Sequence, residues 1–210
     1  MSNNLFHHEQ IYRGDLSKLS KKILICGCGA VGSNLIDNLN RQGCCNLSVI
    51  DFDRIEKHNI NTQAFNSVQV GMLKVAGMEQ LVYETTNCIL SIESKELTAA
   101  NAKKLLKGYD LIIDGFDNTK ARQIVYDYGK QNKIPVLHIG LFEDYAEIIW
   151  NERYTVPQVQ EGLDVCDYPL ARNIITLAIG VSSEEVVRFC FGQEINNWLI
   201  TLKDFKIRKL

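Results

Sequence analysis

The sequence predicts an α/β fold: a mostly parallel twisted sheet with helices on both faces and antiparallel strands toward the C-terminal part. Three observations carry that reading. The apolar run Ile23 to Cys26 is followed by Gly27, Gly29 and Gly32, then by a helical pattern with Leu35, Ile36 and Leu39 on one face. The helix stops near Gly43, and Asn46 to Phe52 reads as a second strand, completing a strand–helix–strand unit whose strands run parallel. Asp110 to Asp114 sets three consecutive apolar residues between acidic ones, the pattern of a strand buried on both faces.

The remaining elements continue the alternation. Val70 to Tyr83 reads as a helix, Ile89 to Ile92 as a strand and Thr98 to Leu106 as a helix. A polar turn at Asp117 and Asn118 precedes a helix over Thr119 to Lys130. Pro135 to Gly140 and Glu147 to Trp150 are strands on either side of a turn at Glu143 and Asp144. Asn151 to Pro169 holds two of the three prolines and little periodicity, so it reads as a long crossing loop of the functional kind. Asn173 to Phe191 is the longest apolar helical segment, and Trp198 to Lys209 reads as one closing strand.

At 210 residues, with no repeat, low-complexity tract or linker, a single domain over 1–210 is expected, with residues 1–20 as an N-terminal extension and 151–170 as the crossing loop. Basic and acidic residues nearly balance, 23 against 25, so charge supplies no reason for nucleic-acid or membrane binding. No apolar stretch approaches the roughly 20 residues of a membrane helix. The start, Met1 to Gln10, lacks the basic and apolar regions of a signal peptide, which points to the cytoplasm. The seven cysteines lack the paired CxxC spacing of a structural zinc site and are expected as reduced thiols. Cys88 and Cys190 read as small core residues. Alternation would send Cys26 and Cys28 the same way, as a metal or redox pair.

Chemistry enters with Gly27-Cys28-Gly29-Ala30-Val31-Gly32, a GxGxxG placed after a strand and before a helix. Glycines let backbone approach phosphate, and the helix start supplies free N–H donors. Asp51, at the end of the second strand, is placed to accept from ribose hydroxyls. These are the marks of a Rossmann-like nucleotide site.

Further blocks make a resemblance specific. Asp51-Phe52-Asp53, followed by Arg54, Ile55, Glu56 and then Asn59-Ile60-Asn61-Thr62-Gln63, resembles the Asp-x-Asp and Asn-x-x-Arg-Gln stretch of the ThiF/MoeB/ubiquitin-activating superfamily. Gly71 and Lys74 match its Gly-x-x-Lys, and Asp114-Gly115-Phe116-Asp117-Asn118 with Arg122 matches its Asp-x-x-Asp-Asn and downstream Arg. The resemblance implies an ATP-dependent adenylyltransferase that activates a carboxylate, the C-terminus of a ubiquitin-like or sulfur-carrier protein, as an acyl-adenylate with release of pyrophosphate. It implies ATP contacts from Gly27, Gly29, Ala30, Val31, Gly32, Asp51, Asp53, Asn59, Lys74 and Arg122, Mg²⁺ held by Asp117, and a homodimer. Asp117 and Lys74 would be catalytic through charge placement.

The chain departs from the pattern where Thr62 replaces the arginine. Arg13, Arg54 and Arg122 are the candidate substitutes, and loss of chemistry with retained binding is the alternative. Cys166, in Leu163-Asp164-Val165-Cys166-Asp167-Tyr168-Pro169, is a candidate thioester- or persulfide-forming thiol, although its acidic flanks oppose thiolate formation. The tract Asp164 to Asn173, with Arg172 and Asn173, is placed to meet a peptide tail. His138, at a strand end, reads as a packing residue rather than a base. The glycine motif alone is also compatible with an NAD-dependent oxidoreductase, and the missing arginine with a non-catalytic nucleotide-binding partner protein.

Overall fold

The computed structural model describes residues 4–157 and 169–210, and its strands form one eight-stranded sheet in the order β3-β2-β1-β4-β5-β6-β7-β8. Strands β1 (Ile23–Cys26), β2 (Leu47–Ile50), β3 (Ser91–Glu93), β4 (Leu111–Asp114) and β5 (Val136–Phe142) run parallel. Strands β6 (Tyr145–Trp150), β7 (Trp198–Thr201) and β8 (Lys206–Lys209) add antiparallel. Every residue of β1 and β4 is buried. Alternation divides them between two cores: Ile23, Ile25, Leu111 and Ile113 face one, Leu24, Cys26 and Ile112 the other.

The first core is covered by α2 (Ala30–Arg41), α3 (Lys74–Thr86) and α6 (Arg172–Cys190). The second, smaller core is covered by α4 (Ala102–Leu105) and α5 (Thr119–Asn132). At the N-terminal side, α1 (His7–Arg13) buries no residue and is tied down through Arg13, which pairs with Glu9 and with Glu184 of α6.

Several expectations are corrected. The helix expected over Val70 to Tyr83 begins at Lys74, because Gly71 takes a positive φ of 93° and its N–H bonds to the Ile55 carbonyl. The closing strand is a hairpin, with β7 and β8 joined by a turn in which Phe205 has a positive φ of 48°. Cys26 and Cys28 do not form a pair: β1 ends at Cys26, Gly27 turns the chain, and the two thiols enter opposite cores, both pushed well up by burial. Nor are all thiols free. Cys45 and Cys88, with Cα atoms 5.4 Å apart, form a disulfide. The packing of α2 on α3 and the pairing of β2 with β3 bring their preceding loops side by side. Cys190 does sit in the core, its thiol pushed up to about 11 by burial. Among the described residues no helix is long and apolar enough to cross a membrane.

Candidate functional site

The strand order reverses between β1 and β4, and the crevice of an open parallel sheet lies at the carboxyl ends of the strands where this happens. The loop after β1 and the loop after β4 meet there. Gly27 has a φ of 91°, and a Cβ on it would stand 3.2 Å from the Gly115 carbonyl oxygen and 3.3 Å from the Phe116 ring. A Cβ on Gly32 would lie 1.9 Å from the Gly27 carbonyl oxygen, so the tight turn into α2 admits only glycine there. Gly29, the N-cap of α2, has nothing within 4 Å of its Cβ position, and no side chain caps the helix. The first-turn amides of α2, at Ala30 and Val31, therefore face a space that backbone does not fill, with the partial positive charge of a helix start.

Asp51 stands beside this turn. Its Oδ2 accepts from the Cys28 N–H at 2.7 Å and its Oδ1 from the Asp53 N–H at 2.8 Å, which aims the carboxylate and ties it to the glycine loop. An ionised carboxylate offers about four acceptor positions, so capacity for a ribose hydroxyl remains. Burial pushes the Asp51 carboxyl above the usual range against the opposing pull of Lys74.

Lys74 is the first residue of α3, and its ammonium donates to Asp53 Oδ2 at 2.8 Å. A short backbone ladder fixes that meeting: Lys74 N–H to Asp53 C=O, Ile55 N–H to Met72 C=O, and a bridge between Arg54 and Leu73. Burial alone would lower the Lys74 ammonium, but Asp51 and Asp53 outweigh it and hold it above the ordinary lysine value. Asn59 is buried in the 3₁₀ turn Lys57–Asn61, where its Oδ1 accepts from the Glu56 N–H at 2.8 Å. No partner takes its side-chain N–H₂ among the described residues. Arg54 is exposed and donates to the Gly71 carbonyl at 2.7 Å.

Asp117 is exposed at the tip of the β4–α5 loop and makes no hydrogen bond or ion pair among the described residues. Its neighbours are locked. Asp114 accepts from the Phe116 N–H at 3.1 Å, and Asn118 caps α5 by accepting from the Ala121 N–H at 2.8 Å. Arg122, expected among the nucleotide contacts, lies on α5. Its guanidinium is buried behind the loop and donates to Asp114 Oδ2 at 3.3 Å, to Tyr154 Oη at 3.1 Å and to the Ile139 carbonyl at 2.9 Å. These bonds tie it to β4, to β5 and to the segment after β6. His138 belongs to the same network, its Nδ1 2.8 Å from Asp114 Oδ2, its Nε2 2.7 Å from Asn151 Oδ1, and its ring stacked on Tyr154 at 3.6 Å. Asp114 and Tyr154 as organisers of this network went unseen in the sequence, since their partners are distant along the chain.

Arg13, a candidate substitute for the arginine absent at Thr62, pairs with Glu9 and Glu184. Cys166, with the tract from Asp164 up to Tyr168, lies outside the described residues. Arg172 and Asn173 begin α6 at the crevice edge, where the Ala171 N–H bonds to the Glu143 carbonyl at the β5–β6 turn. The glycine loop, Asp51 and Asp53, and Asp117 thus follow the carboxyl ends of β1, β2 and β4, with Lys74 tied to Asp53, whereas Arg13 and Arg122 are paired with carboxylates.

Comparison with known proteins identifies the family. The model of the ThiF family matches residues 3–161. A tRNA threonylcarbamoyladenosine dehydratase of Haemophilus influenzae is 36% identical over 121 residues, covering 56% of this chain and 46% of the relative. The adenylyltransferase and sulfurtransferase UBA4 of Yarrowia lipolytica is 29% identical over 219 aligned positions, covering 93% of this chain and 55% of the relative. The chain thus spans about half the length of these two relatives. Among solved structures, E. coli MccB with ATP superposes with a TM-score of 0.82 at 18% identity, over 100% of this chain and 71% of that one. PaaA superposes with a TM-score of 0.75 at 20% identity, over 98% and 66% respectively, and both likenesses speak to the fold alone. With a family model matching most of its length and the motif residues gathered at one crevice, the chain belongs to the ThiF family.

Proposed function

We propose that the chain is an ATP-dependent adenylyltransferase that activates the C-terminal carboxylate of a small ubiquitin-like or sulfur-carrier protein, or of a peptide, as an acyl-adenylate. The observation that carries this reading is the convergence of Lys74 and Asp117 with the glycine loop and Asp51. A dinucleotide-dependent dehydrogenase needs the last two and has no use for an ammonium and a free carboxylate beside the phosphates. The name of the UBA4 relative, an adenylyltransferase, and the likeness to MccB with ATP support this reading.

In this reading Asp51 holds the ribose, and the glycine loop with the amides of Ala30 and Val31 receives the phosphates. Asn59 donates its free N–H₂ to a phosphate oxygen, and Lys74 leaves Asp53 to neutralise the departing pyrophosphate. Asp117 fits Mg²⁺, which takes one or two carboxylates together with substrate phosphates, because its oxygens are exposed and uncommitted. When bound, the ion supplies charge neutralisation at the phosphates. The protein's share is placement: the substrate carboxylate attacks the α-phosphorus, the bond to the β-phosphate oxygen breaks, and pyrophosphate leaves. Cys166 is assigned to a following step, in which its thiolate attacks the acyl carbon and AMP departs. A second copy of the chain is the proposed oligomeric partner, and the cytoplasm the proposed compartment.

The test is exchange of labelled pyrophosphate into ATP with Mg²⁺, dependent on a small protein ending in Gly-Gly, in the wild type and in Asp117→Ala and Lys74→Ala. Exchange in the wild type that disappears in both variants supports adenylation. Tight NAD binding with no ATP binding overturns it. For Cys166, the Cys166→Ser variant should keep exchange and lose any thiol-sensitive acyl adduct.

A further inference from the structure

A polyphosphate needs more positive charge than the crevice shows. Lys74 is already matched by Asp53, and Asp51 and Asp117 add negative charge beside it. Of the arginines that could help, Arg13 and Arg122 are paired with carboxylates, and Arg54 is held on the Gly71 carbonyl. Arg172 shares with Arg54 the lack of an ion pair among the described residues, but it is anchored on Thr62 itself. It is exposed, makes no ion pair among the described residues, and is anchored only through Nη1, which donates to Asn34 Oδ1 at 3.0 Å and to the Thr62 carbonyl at 2.9 Å. Among the described residues nothing accepts from its Nε or Nη2.

The two anchors determine where that guanidinium stands. Asn34 lies in the second turn of α2, the helix that springs from the glycine loop, and its own Nδ2 also donates to the Thr62 carbonyl at 2.8 Å. Thr62 closes the 3₁₀ turn that carries Asn59. The base of the arginine is held too, by the Glu143 contacts of Leu170 and Ala171. Arg172 therefore brings a cation from the far end of the chain onto the residue where the resembling pattern places its arginine and this chain has threonine.

We propose that Arg172 is a phosphate-binding residue of the nucleotide site, its Nε and Nη2 donating to the terminal phosphates of ATP and thereby replacing in space the arginine absent at position 62. This rests on the nucleotide reading above. A guanidinium suits the task because its planar donors can keep one contact with protein carbonyls while offering another edge to an anion, which a lysine cannot reproduce.

The experiment measures the affinities of ATP and AMP for the full chain with Mg²⁺ by calorimetry, in the wild type, Arg172→Ala, Arg172→Gln and the double variant Thr62→Arg with Arg172→Ala. We expect Arg172→Ala to weaken ATP about 10- to 100-fold while AMP changes less than about twofold. Thr62→Arg should restore much of the ATP affinity. Arg172→Gln keeps a donor for the Thr62 carbonyl without the charge; it should fold and show the same selective loss, and it decides the matter should the alanine variant not fold. Equal weakening of ATP and AMP, or of neither, overturns the assignment and leaves Arg172 a clasp between α6 and α2. A wild type that binds no ATP overturns the nucleotide reading itself and this assignment with it.

Discussion

The ammonium of Lys74 rests on the carboxylate of Asp53 at 2.8 Å, with the buried carboxylate of Asp51 close enough to hold that ammonium charged. Lys74 and Asp51 are both buried, while the Asp53 side chain is 49% exposed. Removing the cation therefore penalises Asp51 far more than Asp53. We expect Lys74→Met to cost about 1–3 kcal/mol at pH 7, the price of a buried charge left without its partner. The sign of the pH dependence follows from Asp51. Its folded value is already raised, so stability favoured by the protonated form is present below roughly pH 4 and lost as pH rises through the folded value. Loss of Lys74 raises that value further. The gap between variant and wild type should thus be small in acid and widen toward neutrality, as urea titrations at several pH values would show.

Asp117 gives the opposite prediction. It is exposed and makes no bond to a described residue, so Asp117→Ala should change stability by less than about 0.5 kcal/mol. Pyrophosphate exchange should nevertheless fall by roughly 10²–10³ if the carboxylate holds the metal at the phosphates. Thermal melts together with the exchange assay check both halves. A fall in melting temperature matching the fall in activity would mark a structural residue.

Two glycines of the same loop should behave differently. A methyl on Gly32 would stand 1.9 Å from a backbone oxygen, and Gly32→Ala should cost at least about 3 kcal/mol or prevent folding. Gly29→Ala meets nothing within 4 Å and should cost no more than about 1 kcal/mol, the loss of glycine at an N-cap. Its methyl points into the space offered to phosphate, so ATP should bind more weakly to a chain that still melts cooperatively.

The N-terminal helix α1 depends on Arg13 and Glu184. Burial alone would push the Glu184 carboxyl up, but hydrogen bonds and charge from Arg13 and Arg188 outweigh it and hold it below the usual range. A depressed carboxyl contributes stability above the ordinary glutamate value, roughly pH 4, that is lost as pH falls through its lower folded value. The pair is partly buried, with the Arg13 side chain 14% and that of Glu184 38% exposed, and Arg13 keeps Glu9, so Glu184→Gln should cost about 0.5–1 kcal/mol at pH 7. That difference should shrink as pH falls through the lowered folded value, and faster tryptic cleavage after Arg13 should accompany it in the variant at neutral pH.

Much of the fold was legible because its signals are local. The apolar run at Ile23 to Cys26, the three glycines and the helical stripe through Leu35 and Leu39 lie within one short stretch, and each obeys the geometry of its own element. The same holds for Asp51, whose position follows from where a strand ends, whereas Lys74 read as lying inside the helix that it begins. The register of the C-terminal hairpin was not legible, because Trp198 to Lys209 alternates as well through the turn as through the strands. Cys45 and Cys88 meet only because the packing of α2 on α3 aligns two loops.

The sequence by itself determined which side chains are present, the parallel α/β order and the glycine turn that a phosphate can approach. Tertiary structure alone decided which charges are free. Arg13 and Arg122 are spent on Glu184 and Asp114, whereas Arg172 reaches Thr62 across 110 residues of chain. The physical reason is that an arginine's availability depends on the acceptors folded around it, and that neighbourhood is set by packing rather than by spacing along the chain.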